Sequence, residues 1–218
     1  TGLALLMDLS RNYNEGFTAM MVGRAASQRG FLMPERQYPI RIPPSVPGAA
    51  PLEFTQAITR QESSFDPRAR SHANARGMMQ FLPATGRSVA RQLGMPYSDE
   101  RLYDADYNMT LGSFHLGDLT NRFGGSMLLT TIGYNAGPAR PPQWIARCGD
   151  PRGGAVDPVD FIECAPFTET RNYMMRVMEN MQIYRARLNG GSAPLTLSSD
   201  LRRGAPAGPS PYTYAGED

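Results

Sequence analysis

Five prolines, Pro39, Pro43, Pro44, Pro47 and Pro51, fall within fourteen residues starting at Tyr38. Proline has no backbone N–H and a fixed φ, so this stretch can be neither helix interior nor central strand. It reads as an extended connector. Periodic patterning lies on both sides of it. Before it, Asn12 to Arg29 places Phe17, Met20, Met21, Ala25 and Ala26 near helical spacing, and Gly30 suits the helix end. After it, Pro51 suits a first helical turn, and Leu52, Ala57 and Ile58 can share a face with Glu62 until Asp66-Pro67 breaks the helix.

Further helices follow. Pro83 to Leu93 is ended by Gly94. Asp104 to Phe123 turns Leu111, Phe114 and Leu119 inward and is ended by Gly124-Gly125. Ser126 caps a short apolar helix to about Tyr134. Gly137 to Pro166 reads as a long irregular stretch holding Trp144 and both cysteines. Thr168 to Leu188 reads as a long helix with Thr168 as its cap and Glu169 complementing the positive N-terminus. On that helix Met174, Met175, Met178 and Met181 read as core. From Asn189 onward, Gly, Ser, Pro and Ala predict a flexible tail. No Val or Ile alternation argues for a sheet, so the expected fold class is all-α.

Composition narrows the function. Of 218 residues, 41% are hydrophobic and 19% charged, which is a globular composition. Apolar runs are too short for a membrane-spanning helix. A net charge of +2 is too mild to indicate a nucleic-acid protein. All 22 basic residues are arginine, which excludes a lysine nucleophile, a Schiff base and a P-loop. Cys148 and Cys164 cannot make a zinc site by themselves, and His72 and His115 read as ordinary structural residues. No cofactor or metal is expected. The cysteines alone leave a disulfide or two free thiols open. The chain opens at Thr1 without Met or a charged leader, so it is expected to be a processed or trimmed product from which any targeting peptide is already gone.

The chemistry-bearing residues come in short segments. In Arg60-Gln61-Glu62-Ser63-Ser64-Phe65-Asp66 a carboxylate sits at the end of an apolar helix. The negative helix end and desolvation both disfavour its ionised form, which suits a general acid. Gly77-Met78-Met79-Gln80 sets a glutamine beside apolar residues after a glycine. Gly133-Tyr134-Asn135-Ala136-Gly137 puts a Tyr-Asn pair between glycines at a helix end. Pro166-Phe167-Thr168-Glu169-Thr170-Arg171-Asn172-Tyr173 opens the last long helix.

In this order the four segments resemble the soluble lytic transglycosylases of bacteria, which have a lysozyme-like catalytic domain. Met78 stands where the family has Leu, and Gly133 where it has Ala. The resemblance covers about Pro51 to Leu188. It implies a lysozyme-like helical domain at 51–188. Residues 1–50 would be the end of a helical (superhelical) domain with its connector, and 189–218 the tail. It implies that Glu62 is the catalytic acid and base, followed by Ser63, and that Ser71, Gln80 and Leu82 line a glycan cleft. Tyr134 would face the catalytic carboxylate beside Asn135, and Glu169 and Tyr173 would support the cleft.

The implied activity is cleavage of the β-1,4 bond between N-acetylmuramic acid and N-acetylglucosamine in peptidoglycan. Most glycosidases use two carboxylates. Asp66 reads as a turn residue before Pro67, and Glu169 belongs to another segment. The resemblance therefore implies substrate assistance. Glu62 protonates the glycosidic oxygen, the 2-acetamido oxygen stabilises the oxocarbenium centre, and Glu62 then takes the C6 hydroxyl proton as a 1,6-anhydro ring closes. A hydrolytic muramidase of the same fold, or a glycan-binding module without turnover, remains open at the level of residues. The implied partners are peptidoglycan strands, and the implied location is the periplasm. That compartment favours a Cys148–Cys164 disulfide holding the insertion, with Trp144, against one cleft wall.

Overall fold

The computed structural model describes residues 2–12, 16–31 and 33–205. Among these the regular structure is helical: α1 (Gly2–Asn12), α2 (Gly16–Ser27), α3 (Pro34–Gln37), α4 (Leu52–Ser63), α5 (Pro83–Gln92), α6 (Ala105–Arg122), α7 (Met127–Ala136), α8 (Arg140–Cys148), α9 (Pro158–Cys164), α10 (Thr168–Leu188) and α11 (Leu197–Arg202). Short 3-10 turns cover Glu100–Tyr103 and Arg152–Gly154. The only β pairing among the described residues is two isolated bridges, Arg70 with Arg76 and Arg76 with Phe81. The described residues form two compact units, one within 2–118 together with 175–197, the other 119–174 together with 198–205.

Most expected helices form at the expected places. Residues 39–46 carry no helix or strand, as the prolines require. Gly30, Gly94, Gly124 and Gly125 all end helices with positive φ. The Ser126 hydroxyl accepts from Leu129 N–H and caps α7.

Several expectations are corrected. α2 begins at Gly16 rather than Asn12, and Asn12 instead ends α1, which the periodicity did not reveal. Residues 13–15, part of the expected first helix, lie outside the described residues. The stretch 137–166 is not irregular throughout, because Pro at the first turns of α8 and α9 starts two short helices there. Thr168 is already helical, and its hydroxyl accepts from the Arg171 guanidinium at 3.0 Å instead of capping. From Asn189 the chain includes α11, with Asp200 and Leu201 buried, while 206–218 lie outside the described residues. Met175 is 45% exposed, whereas Met174, Met178 and Met181 are core.

In the first unit, Phe54, Ala57 and Ile58 of α4 are fully buried, with Met109, Leu111 and Leu116 of α6 and Tyr184 of α10. Each such side chain contributes about 1.5–3 kcal/mol of burial. Phe114, expected inward, is only half-buried. The connector is seated on α6, where Ala50 N–H donates to Ser113 C=O at 2.8 Å. In the second unit, Met127, Leu128, Leu129 and Ile132 of α7, Trp144 of α8 and Phe161 of α9 are buried. There Arg152, 5% exposed, pairs with Asp150 and donates to the carbonyls of Phe123 and Ala205.

Candidate active site

α4 ends three residues before the expected break at Asp66-Pro67. Ser64 and Phe65 both adopt left-handed backbone, with φ of 57° and 64°. Each costs about 1–2 kcal/mol for a residue with a side chain. Burial of Phe65, whose ring lies 6.4 Å from that of Tyr184, offsets this cost. Glu62 is therefore in the last turn of α4, next to a fixed chain reversal, and is half-buried. The helix end and the partial burial expected from the sequence are both present there.

Ser63 binds the first segment to the second, because its hydroxyl donates to Met78 C=O at 2.7 Å. Asp66 accepts from Arg68 N–H at 2.8 Å, the turn role read from Pro67. The second segment is a tight turn. Gly77 has φ of 75°, and a Cβ there would lie 2.0 Å from Leu102 O and 2.4 Å from Asn108 Nδ2, so no other residue fits. Gln80 also has positive φ, 52°, and its amide donates to Gly77 C=O at 2.9 Å and to Ala69 C=O at 3.2 Å. Leu82 is 46% exposed, available to a ligand. Ser71 spends its hydroxyl inside the loop, accepting from Ala75 N–H at 3.0 Å.

Asn108 was not singled out from the sequence, yet it organises this turn. Fully buried, it accepts from Met79 N–H at 2.8 Å and donates to Leu102 C=O at 2.8 Å and Arg76 C=O at 3.0 Å. The available signal was an asparagine inside a helix, where asparagine is otherwise unfavourable. Tyr97 bonds Pro83 C=O and Asp99, and burial together with that carboxylate pushes its phenol up to about 12. His72 is exposed, whereas burial pulls the His115 imidazole below its ordinary range.

The second unit holds the other two segments. Tyr134 and Asn135 occupy the end of α7 and are half-buried. Thr170, buried in the first turn of α10, donates to Asn135 Oδ1 at 2.7 Å. Glu169 is exposed and Tyr173 is 6% exposed. Arg171 donates to the carbonyls of Ala165 and Glu163. Gly133, the departure from the family's alanine, has a local reason: a Cβ there would meet the Phe123 ring at 2.6 Å. Cys148 and Cys164 form a disulfide that joins the ends of α8 and α9, with Cα atoms 5.9 Å apart. Trp144, buried near it, stands edge-on to Phe167 at 5.4 Å. Among the described residues no three His, Cys, Asp or Glu side chains are grouped to hold a metal ion.

Chemically, the first unit offers the half-buried Glu62 carboxyl at a helix end beside a turn of fixed backbone. The second offers a braced Tyr-Asn pair.

Residues 48–153 match the family Transglycosylase SLT domain. The soluble lytic murein transglycosylase of Escherichia coli K12 is 34% identical over 137 residues, covering 62% of this chain and 21% of that protein. The crystal structure of the 70 kDa soluble lytic transglycosylase from Escherichia coli matches with a TM-score of 0.76 at 26% identity, covering 92% of this chain and 32% of that one. Lytic transglycosylase Slt of Pseudomonas aeruginosa, solved as an inactive Glu-to-Gln mutant, matches with a TM-score of 0.69 at 31% identity over 87% of this chain and 31% of that one. The chain spans about a quarter of the length of the curated soluble lytic transglycosylases it matches. The fold is all-α and lysozyme-like, as in these neighbours.

Proposed function

The chain carries a transglycosylase SLT domain, and from that premise we propose that it is a lytic transglycosylase. It cleaves the β-1,4 bond between N-acetylmuramic acid and N-acetylglucosamine in peptidoglycan and leaves 1,6-anhydromuramoyl ends. The observation that carries this reading is the place of Glu62, half-buried in the last turn of α4, with its neighbour Ser63 bonded to the backbone of the Gly77–Gln80 turn.

In this reading Glu62 begins protonated and gives its proton to the leaving glycosidic oxygen. The substrate's 2-acetamido oxygen carries the developing charge. The ionised Glu62 then accepts the C6 hydroxyl proton, and that oxygen closes the ring on C1. One carboxyl serves both steps, which suits a site where Asp66 is committed to a turn. Gln80, Leu82, Tyr134, Asn135, Glu169 and Tyr173 are assigned to binding and supporting the glycan, residues 51–188 to the catalytic domain, and 1–50 to the end of a preceding helical domain. The substrate places the protein in the periplasm. Among the described residues no helix is long and apolar enough to cross a membrane.

The test is Glu62→Gln on purified sacculi. A soluble lytic transglycosylase relative is known as an inactive Glu-to-Gln mutant, and the same loss is expected here, with glycan binding and thermal unfolding kept near the parent. A variant that digests sacculi at the parent rate refutes the role of Glu62.

A further inference from the structure

The loop between α4 and α5 carries Arg68, Arg70, His72 and Arg76. Its central turn is closed reciprocally. Ser71 N–H donates to Ala75 C=O, Ala75 N–H donates to Ser71 Oγ, and Asn74 N–H donates to Ser71 C=O, each at 3.0 Å. Asn74 takes the left-handed conformation, φ 66°, which asparagine tolerates better than most residues. From there its Oδ1 accepts two arginines, Arg70 Nε at 2.9 Å and Arg76 Nε at 3.3 Å.

The two arginines then differ. The outer nitrogen of Arg76 is taken by Asp99 at 3.1 Å. Arg70 is exposed, and its side chain is held through Nε alone. Its guanidinium is thus oriented while the Nη edge faces no acceptor among the described residues. A planar fork whose orientation is already fixed loses less freedom on binding a carboxylate than a loose lysine would. Ala69, the residue before Arg70, accepts from both Gly77 N–H and the Gln80 amide, which ties this arm of the loop to the Gly77–Gln80 turn. Arg70 and Glu62 belong to the same compact unit.

The sugars of the glycan are uncharged where the lactyl group is amidated. The carboxylates of such a strand lie on the peptide that the lactyl group carries. Resting on the glycan-cleaving reading, we propose that Arg70, pinned by Asn74, recognises a carboxylate of the peptide borne on the muramoyl residue. The loop is then a specificity site that separates peptide-bearing from peptide-free strands.

The experiment is equilibrium binding of fluorescently labelled glycan strands, with their peptides and after enzymatic removal of the peptides. The protein is the Glu62→Gln chain, with and without Arg70→Gln. Arg70→Gln is expected to weaken binding of peptide-bearing strands about 5–10-fold, discounted for exposure, so that the preference over peptide-free strands collapses toward one. The preference in the parent fades as salt rises. Asn74→Gly keeps the left-handed backbone, removes the pin and loses part of the same preference. Equal weakening on both strands, or an unchanged preference in both variants, overturns the proposal. Failure of the glycan-cleaving reading registers separately, as a wild-type chain that releases no fragments from either strand while the difference in affinity persists.

Discussion

The Thr170 hydroxyl donates to Asn135 Oδ1 at 2.7 Å, so the Tyr-Asn pair at the end of α7 is braced by the first turn of α10. Thr170 is 2% exposed, so solvent cannot replace the bond easily. Thr170→Val keeps the shape and removes the donor, which should cost about 1–1.5 kcal/mol in urea unfolding. Thr170→Ser should stay close to the parent. If valine proves neutral, the bond does not brace the pair.

Gly133 and Phe123 form a matched small–large pair. Alanine at a helix interior is ordinarily about 1 kcal/mol better than glycine. Here the added Cβ would lie 2.6 Å from the ring edge of Phe123, which is 5% exposed and has little room to move. Overpacking of this kind costs about 1–3 kcal/mol, so Gly133→Ala is expected to lower Tm. Adding Phe123→Leu should remove the penalty, and a double-mutant cycle measures the coupling. A rise in Tm for Gly133→Ala by itself contradicts the pairing.

Stability should fall at both ends of the pH scale for identified reasons. Burial holds the His115 pKa below 6.5, so its contribution is present above pH 6.5 and lost as pH falls through the lowered value. His115→Gln should flatten that part of the profile. Burial first, and then Asp99, raise Tyr97 from 10.0 to about 12, so its contribution is intact below pH 10 and lost as pH rises toward 12. Burial raises Tyr107 and Tyr184 in the same direction. Chemical denaturation across pH, with phenolate absorbance on the alkaline side, checks both limbs.

The Cys148–Cys164 bond closes a loop with a sequence separation of 16. The chain-entropy model gives about 3 kcal/mol for a loop of this size. Replacing both cysteines with alanine should lower stability by up to that amount. It should also expose the segment between α8 and α9 to proteolysis, and weaken substrate binding more than it disturbs the fold of the first unit. Thiol titration of the unreduced, denatured protein should find no reactive thiol; two per chain would show that the bond is absent.

Prolines, glycines and caps made the helices legible: Ser126, Gly94 and Gly124-Gly125 mark local backbone choices that need no tertiary information. α8 and α9 were obscured because Gly and Pro dominate Gly137 to Pro166, and α1 because nothing in its composition marks a start. Glu62, Gln80, Tyr134 and Asn135 could be found because they sit in short ordered segments. Asn108 left only the weak signal of an asparagine within a helix, and Arg152 left none. Asn108 lies 28 residues beyond Gln80, and Arg152 reaches Phe123 and Ala205 across 29 and 53 residues. Apart from Asp150 beside Arg152, their partners are distant backbone groups, which carry no residue-specific signal in the sequence.

The account stands most directly on what the chain releases from sacculi. Mass spectrometry of the soluble fragments distinguishes a muramoyl end closed on its own C6 oxygen from one opened by water, since the former is lighter by one water. The prediction is that the wild-type chain releases fragments with 1,6-anhydromuramoyl ends from the outset of the digest and that Glu62→Gln releases none. A digest containing only reducing ends would contradict it and make the chain a hydrolytic muramidase.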